Sequence, residues 1–394
     1  MKRKLLYLLL LAMTGSILVS CGGSAASSSS DTDSSKPEAD PNTLLGSYGE
    51  VFGYSGTCIT SAQLGNADML QFVKTHFNSV TMENEMKPEA ILGQSPMLVS
   101  IDKAKELGYS IPDGYTEENV PRLNFSIIDA SLDICAQNGL AMRAHTLVWH
   151  SQTPGWFFCE GYQNGGGYVS PEVMDKRMEF YIKNVMGHIY DHENGSIVYA
   201  WDVVNEYPHA ENSGWEAVYG NGGNSPQFVK KAFEIASGVL EEKDIRDKVS
   251  LFFNDYNTYM VSADILKIIE FVNADKKLCD GVGMQAHLDT GYPSDVLFKT
   301  TLKQFCDAGL EVQITELDVT CSDLNVQADY YYKLMKGILE VKEQGGNITG
   351  ITYWGPSDLS SWRRAQKPLL FSTPGNKKPA YDKVMQAFKE SSFS

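Results

Sequence analysis

Three things are scarce in this 394-residue chain, and each scarcity removes a class of function. Basic charge is short: 33 Lys and Arg face 49 Asp and Glu, a formal net charge of -16. A phosphate backbone needs a basic surface, so nucleic acid is excluded as a partner. Closely spaced cysteine pairs are absent as well. Seven Cys are present, but no C-x-x-C pair occurs, which argues against a zinc ribbon or a thiol redox motif. His188 and His192 lie four apart on an expected helix, yet no other ligand pattern accompanies them, and they read as surface or packing residues. Long apolar runs are missing too. The longest, Leu5 to Met13, is too short to span a bilayer.

That run has another explanation. Lys2, Arg3 and Lys4 precede it, and Leu18-Val19-Ser20-Cys21 follows it. A basic start, a short apolar middle and a small residue at the end make a signal peptide over residues 1–20. The ending resembles a bacterial lipobox, which implies lipidation of Cys21 as the mature N-terminus. The expected location is the bacterial cell envelope, exported, surface-exposed and held to the membrane through Cys21 only. Residues 21–41, rich in Gly, Ser and Asp, read as a flexible tether. Six Cys then remain, and their 15 possible pairings stay open.

From residue 42 to 394 no second linker or low-complexity stretch interrupts the chain, so one domain is expected. Hydrophobic residues at 43% suffice for its core. Eight short β-prone segments recur: 51–60, 78–86, 141–149, 197–206, 249–257, 281–288, 311–318 and 350–355. Helical spacing fills the intervals, as in 173–190, 227–242, 262–273, 294–308 and 327–344. Strand then helix, eight times, predicts an α/β fold, the (β/α)8 TIM barrel.

The strands share one oddity: each begins apolar and ends polar. The ends read Glu83-Asn84-Glu85, His145 to Gln152, Asn205-Glu206, Asn254 to Asn257, Gln285 to His287, Glu316-Leu317-Asp318 and Trp354. A polar side chain in a buried strand is costly unless it is hydrogen-bonded. Seven strands polar at the same end point to one active-site face, because parallel barrel strands converge there. Alternation puts Gln285 with His287, and Glu316 with Asp318, on shared faces. It also turns Asn205 away from Glu206, unless the strand ends or bulges there.

In their order and spacing, NSVTMENEMK (78–87), HTLVWHSQ (145–152), WDVVNE (201–206), NDYN (254–257), GMQAHL (283–288), ITELD (314–318) and WGPSD (354–358) make the chain resemble glycoside hydrolase family 10, the endo-β-1,4-xylanases. The resemblance runs from about residue 44 to the end. It implies endo-acting, retaining hydrolysis of xylan and xylo-oligosaccharides by a monomer without cofactor or metal. Glu206 is then the general acid/base and Glu316 the nucleophile, carboxyls about 5–5.5 Å apart. One must hold a proton while the other is ionised, so their surroundings must differ. His287, backed by Asp318, should orient Glu316, and Asn205 should bind the 2-hydroxyl of the cleaved sugar.

The same resemblance assigns Glu83, Asn84, Lys87, His145, Trp149, Gln152, Gln285, Trp354 and Trp362 to sugar binding. Trp354 is the expected floor. Gln152 and Trp362 should crowd C5 and disfavour glucose. Tyr256 is a stacking residue on the leaving-group side. Asp202 and Asp255 read either as site residues or as loop braces, and Trp156 and Trp201 as core. Pro88, Tyr207 and Ser372 depart from the family pattern, and the long stretch 91–120 is expected to extend the cleft rim. The alternatives are a non-catalytic surface xylan-binding barrel, and a β-glucanase or mannanase of a related barrel family.

Overall fold

The β-prone runs become short parallel strands: β1 (Tyr54–Ile59), β2 (Ser79–Met82), β3 (Ala141–Trp149), β4 (Val198–Asn205), β5 (Ser250–Asp255), β6 (Gly281–Met284), β7 (Glu311–Thr320) and β8 (Ile348–Tyr353). Each is followed by a helix: α1 (Ala67–His76), α2 (Ser126–Gln137), α3 (Pro171–Asp191), α4 (Gln227–Glu242), α5 (Thr258–Val272), α6 (Asp295–Asp307), α7 (Leu324–Glu343) and α8 (Pro379–Lys389). The computed structural model describes residues 39–394. The leader, Cys21 and all but the last residues of the tether lie outside the described residues.

Strand β8 pairs in parallel with both β7 and β1, so the sheet closes and the barrel keeps no open edge. Closure explains the composition of the strands. Both faces are covered, so β2 and β6 are buried along their whole length. The helices carry the opposite pattern. In α4, Val229, Ala232, Phe233, Ala236, Val239 and Leu240 form a buried stripe at spacing three and four. Their starts are set by local chemistry. Ser294 accepts the Leu297 amide at 3.2 Å, and Asp323 accepts those of Asn325 and Val326 at 2.7 and 3.1 Å. Pro171 opens α3, where its missing N–H costs nothing.

Three expectations change. The segment 281–288 is not one strand. Ala286 adopts φ 63°, and a short strand, His287–Asp289, resumes against the end of β7. Residues 91–120 do not build the cleft rim. They form a small hairpin, Leu98–Ser100 with Asn119–Pro121, that packs on α3. Buried Arg177 donates to Glu117 at 2.8 Å, and Asn184 bonds the Ser110 backbone in both directions. Asp202 braces no loop. It lies fully buried in the barrel and takes both the Arg143 guanidinium and His145 Nδ1, the latter at 2.8 Å. Trp156 and Trp201 are core, as expected. The six described cysteines all carry free thiols.

The Arg143–Asp202 pair yields a stability prediction. Both groups are out of water, and Arg143 also donates to Gln313 at 3.0 Å. Removing one partner leaves a buried charge uncompensated, at a cost of about 3–5 kcal/mol. Asp202→Ala should lower the urea midpoint accordingly, and an unchanged midpoint would mean that water reaches Arg143.

Candidate active site

The site lies at the strand C-termini, where the polar residues converge. A cleft of about 530 Å³ is lined by Glu83, Asn84, Lys87, His145, Trp149, Gln152, Asn205, Glu206, Tyr256, Gln285, His287, Glu316, Trp354 and Trp362. Every residue assigned above to catalysis or sugar binding lines it except Asp318, which lies beneath His287. Asn257 and Arg363 also line it and were not foreseen.

The backbone explains how Asn205 and Glu206 share it. The register of β4 on β5 shifts between Asp202 and Val204, and the strand ends at Asn205. Glu206 then adopts the left-handed conformation, φ 59° and ψ 37°, with its amide bonded to the Asn254 carbonyl at 2.9 Å. Such a backbone is uncommon for a residue with a Cβ. It breaks the alternation, so neighbours in sequence point into one cleft. Ala286 also takes a positive φ, between Gln285 and His287, and both of those residues line the cleft.

The two glutamates are held differently. Glu206 receives Trp149 Nε1–H on one oxygen and Gln285 Nε2–H on the other, each at 2.7 Å. Both donors are neutral. His150 Nε2 is 3.9 Å away, and burial lowers its pKa below the usual imidazole range. Glu316, almost wholly buried, receives His287 Nε2 at 3.0 Å and Asn254 Nδ2 at 2.9 Å. Burial alone would raise its pKa. The His287 hydrogen bond, the charges of His145 and His287 and the Asn254 amide outweigh it and bring the value down to about 2. His287 answers in kind. Burial would lower its pKa, but Asp318, 3.0 Å from Nδ1, and Glu316 raise it to about 9.

Asp318 is itself fixed by Trp362 Nε1 at 2.9 Å and Arg363 at 3.2 Å. Thus Glu316, His287 and Asp318 form one charged unit. Its stability terms have opposite signs. The Glu316 share is present above its ordinary value of 4.5 and is lost as pH falls through about 2. The His287 share is present below 6.5 and is lost as pH rises through about 9. Imidazole NMR should therefore give His287 a midpoint near 9. In Asp318→Asn the midpoint should fall toward 6.5; an unmoved midpoint would remove Asp318 from the unit.

Asn254 is the main residue the sequence reading did not assign. It donates to Asn205 Oδ1 and Glu316 Oε1, both at 2.9 Å, and accepts from Thr315 at 2.7 Å. Gly283 leaves room for it: a Cβ there would lie 2.1 Å from Asn254 Oδ1. Its signal was present, since Asn254 and Tyr256 stand two apart at a strand end. Asn205 also accepts Gln285 Nε2 at 3.1 Å. With its oxygen so engaged, its buried Nδ2 has no partner among the described residues. A buried amide donor of that kind is set for an incoming hydroxyl.

The walls suit a sugar. Trp354 meets His145 and His287 edge-on, at 5.7 and 6.1 Å between ring centroids. Lys87 Nζ donates to Gln152 at 2.9 Å and Asn84 at 3.2 Å, and sits 4.9 Å over the Trp149 ring. Burial raises the pKa of Glu83 against the Lys87 charge. The exposed Trp362 stands against His287, 5.0 Å away.

Comparison with known proteins agrees with this geometry. Glycosyl hydrolase family 10 matches residues 44–387. The chain belongs to that family. It is 50% identical over 351 residues to Endo-1,4-beta-xylanase A of Butyrivibrio fibrisolvens, covering 88% of this chain and 85% of that one. It is 37% identical over 361 residues to the bifunctional endo-1,4-beta-xylanase XylA of Ruminococcus flavefaciens, covering 88% of this chain but 34% of that longer protein. A crystal structure of the N-terminal CBM22-1–GH10 modules of a Clostridium thermocellum endo-1,4-beta-D-xylanase, complexed with xylohexaose, superposes with a TM-score of 0.74. That chain is 32% identical, and the match covers 89% of this chain and 68% of that one. The family 10 barrel is thus the fold the eight-strand reading anticipated.

Proposed function

We propose that this family 10 barrel hydrolyses β-1,4-xylosidic bonds inside xylan chains by a retaining double displacement. The observation that carries the reading is the unequal treatment of the two glutamates in one cleft. Glu316 is kept ionised by the His287–Asp318 unit, whereas Glu206 receives only neutral donors. In the first step a Glu316 oxygen attacks C1 and the bond to the leaving oxygen breaks. Glu206 gives that oxygen its proton. In the second, Glu206 takes a proton from water, the water oxygen attacks C1, and Glu316 departs as carboxylate. The free Asn205 amide is the donor for the 2-hydroxyl, a contact that strengthens as charge develops at C1.

Xylan rather than a glucan is supported by Gln152, held by Lys87, and by Trp362, which all line the cleft, and by the endo-1,4-beta-xylanases the chain is similar to. Product analysis on glucuronoxylan and arabinoxylan, beside carboxymethylcellulose and mannan, tests activity, endo mode and selectivity together. Equal rates on all four would remove the xylan assignment, and binding without reducing-sugar release would remove the enzyme. The proposal includes export and a lipid anchor at Cys21, supported by the sequence alone. Cys21→Ala should move the protein from the membrane fraction to the soluble one; membrane retention would count against the anchor.

A further inference from the structure

One charged group beside the cleft has no part in the steps above. Tyr207-Pro208-His209 forms a single 3-10 turn after Glu206, with the His209 amide bonded to the Glu206 carbonyl at 3.1 Å. The turn carries the His209 ring to the leaving-group side. There it lies on the Tyr256 ring, centroids 3.9 Å apart and planes 21° from parallel. Tyr256 lines the cleft and His209 does not. His209 Nε2 also stands 3.3 Å from Oδ1 of the wholly buried Asp255, at ion-pair distance but without the alignment of a hydrogen bond. The same oxygen accepts the Tyr256 amide at 2.8 Å.

We propose that His209 is a positioning residue for the leaving-group side: stacked against Tyr256 and paired with Asp255, it holds the Tyr256 ring as the platform on which the departing sugar rests. The inference rests on the xylanase reading and deepens it. Asp255 then has a role that neither a loop brace nor a direct sugar contact describes. It is the buried carboxyl that touches both members of the stack; burial raises its pKa to about 6, against the pull of His209. Its second oxygen, Oδ2, has no partner among the described residues, so His209 and the Tyr256 amide are the groups that offset its burial. Burial would strip the His209 proton, but Asp255 and then Glu206 hold its pKa above the ordinary value. The other titratable groups that face it are His150 and Tyr256 itself. Tyr207 secures the turn from the far side, donating to the Gly223 carbonyl at 3.0 Å and packing edge-on against Phe228.

The test is a double-mutant cycle on the full chain with xylohexaose as substrate. His209→Ala should raise KM about fivefold, the order of one aromatic contact, and change kcat far less. In a Tyr256→Ala background the same substitution should add little, because the platform is already gone. His209→Phe restores a ring under Tyr256 and should recover most of the KM, which a loss of folding would not allow. Independent, multiplying effects of the two alanine substitutions would overturn the inference, as would a loss confined to kcat. Failure of the unaltered enzyme to cleave xylohexaose would instead remove the underlying activity, and the inference with it.

Discussion

Glu316→Ala abolishes xylan hydrolysis while the barrel still folds: that is the largest effect expected for any single substitution. The nucleophile makes and breaks the bond to C1, so no neighbouring group substitutes for it. Losses of about 10⁴–10⁶ in kcat accompany removal of a member of a catalytic unit. Glu206 still sits across the cleft, but a proton donor cannot stabilise the charge developing at C1. The fold survives because the side chain is one partner in a network. His287 keeps Asp318, and Asn254 keeps Asn205 and Thr315. The donors left without Glu316 cost about 1–3 kcal/mol. His287 should also titrate lower, having lost one of the two carboxylates that raise it. Circular dichroism and a thermal scan check the fold, and reducing-sugar assays check the rate. Retained hydrolysis would falsify the assignment of Glu316.

Glu206→Ala should divide substrates instead of silencing the enzyme. A xylosidic leaving group departs as an alkoxide unless protonated, so hydrolysis of xylan should fall by about 10²–10⁴. An activated aryl xylobioside needs no proton to depart, and its first step should be nearly spared. Its second step lacks the base that activates water. The expected result is a rapid burst of aryl alcohol followed by slow turnover, with glycosyl-enzyme accumulating on Glu316. Intact-mass spectrometry of the quenched enzyme would show the added xylobiosyl group. Equal losses on xylan and the aryl substrate would show that Glu206 is not the acid. Trp149 and Gln285, which lose their shared acceptor, make a modest loss of stability part of the same prediction.

Much of this site was legible before any coordinates, and the reason is physical. A parallel barrel sends every strand end to one face, so polar residues ending apolar runs announce a site without a map of it. The start of the helix at 294 was legible for a similar reason, since Ser294 acts on an amide only three residues away. Residues 91–120 were misjudged because nothing local says which surface a hairpin will cover; Arg177 and Asn184, far along the chain, decide that. Asn254 has a role that local sequence does not show, because it needs three partners on two other strands, Asn205 on β4 and Thr315 and Glu316 on β7.

The glutamates mark the division most clearly. Their identity, order and strand-end positions are properties of the sequence, because side-chain chemistry and strand period act over a few residues. Their difference is not. Glu316 is an anion because His287 and Asn254 arrive from other strands, His287 braced by Asp318 two residues further along β7, and act through a dry interior. Glu206 reaches the cleft beside Asn205 because β4 slips register and turns left-handed at its end, against the alternation the residues alone dictate. Electrostatics in a buried site depends on distances between groups far apart in the chain, and only the folded barrel sets those.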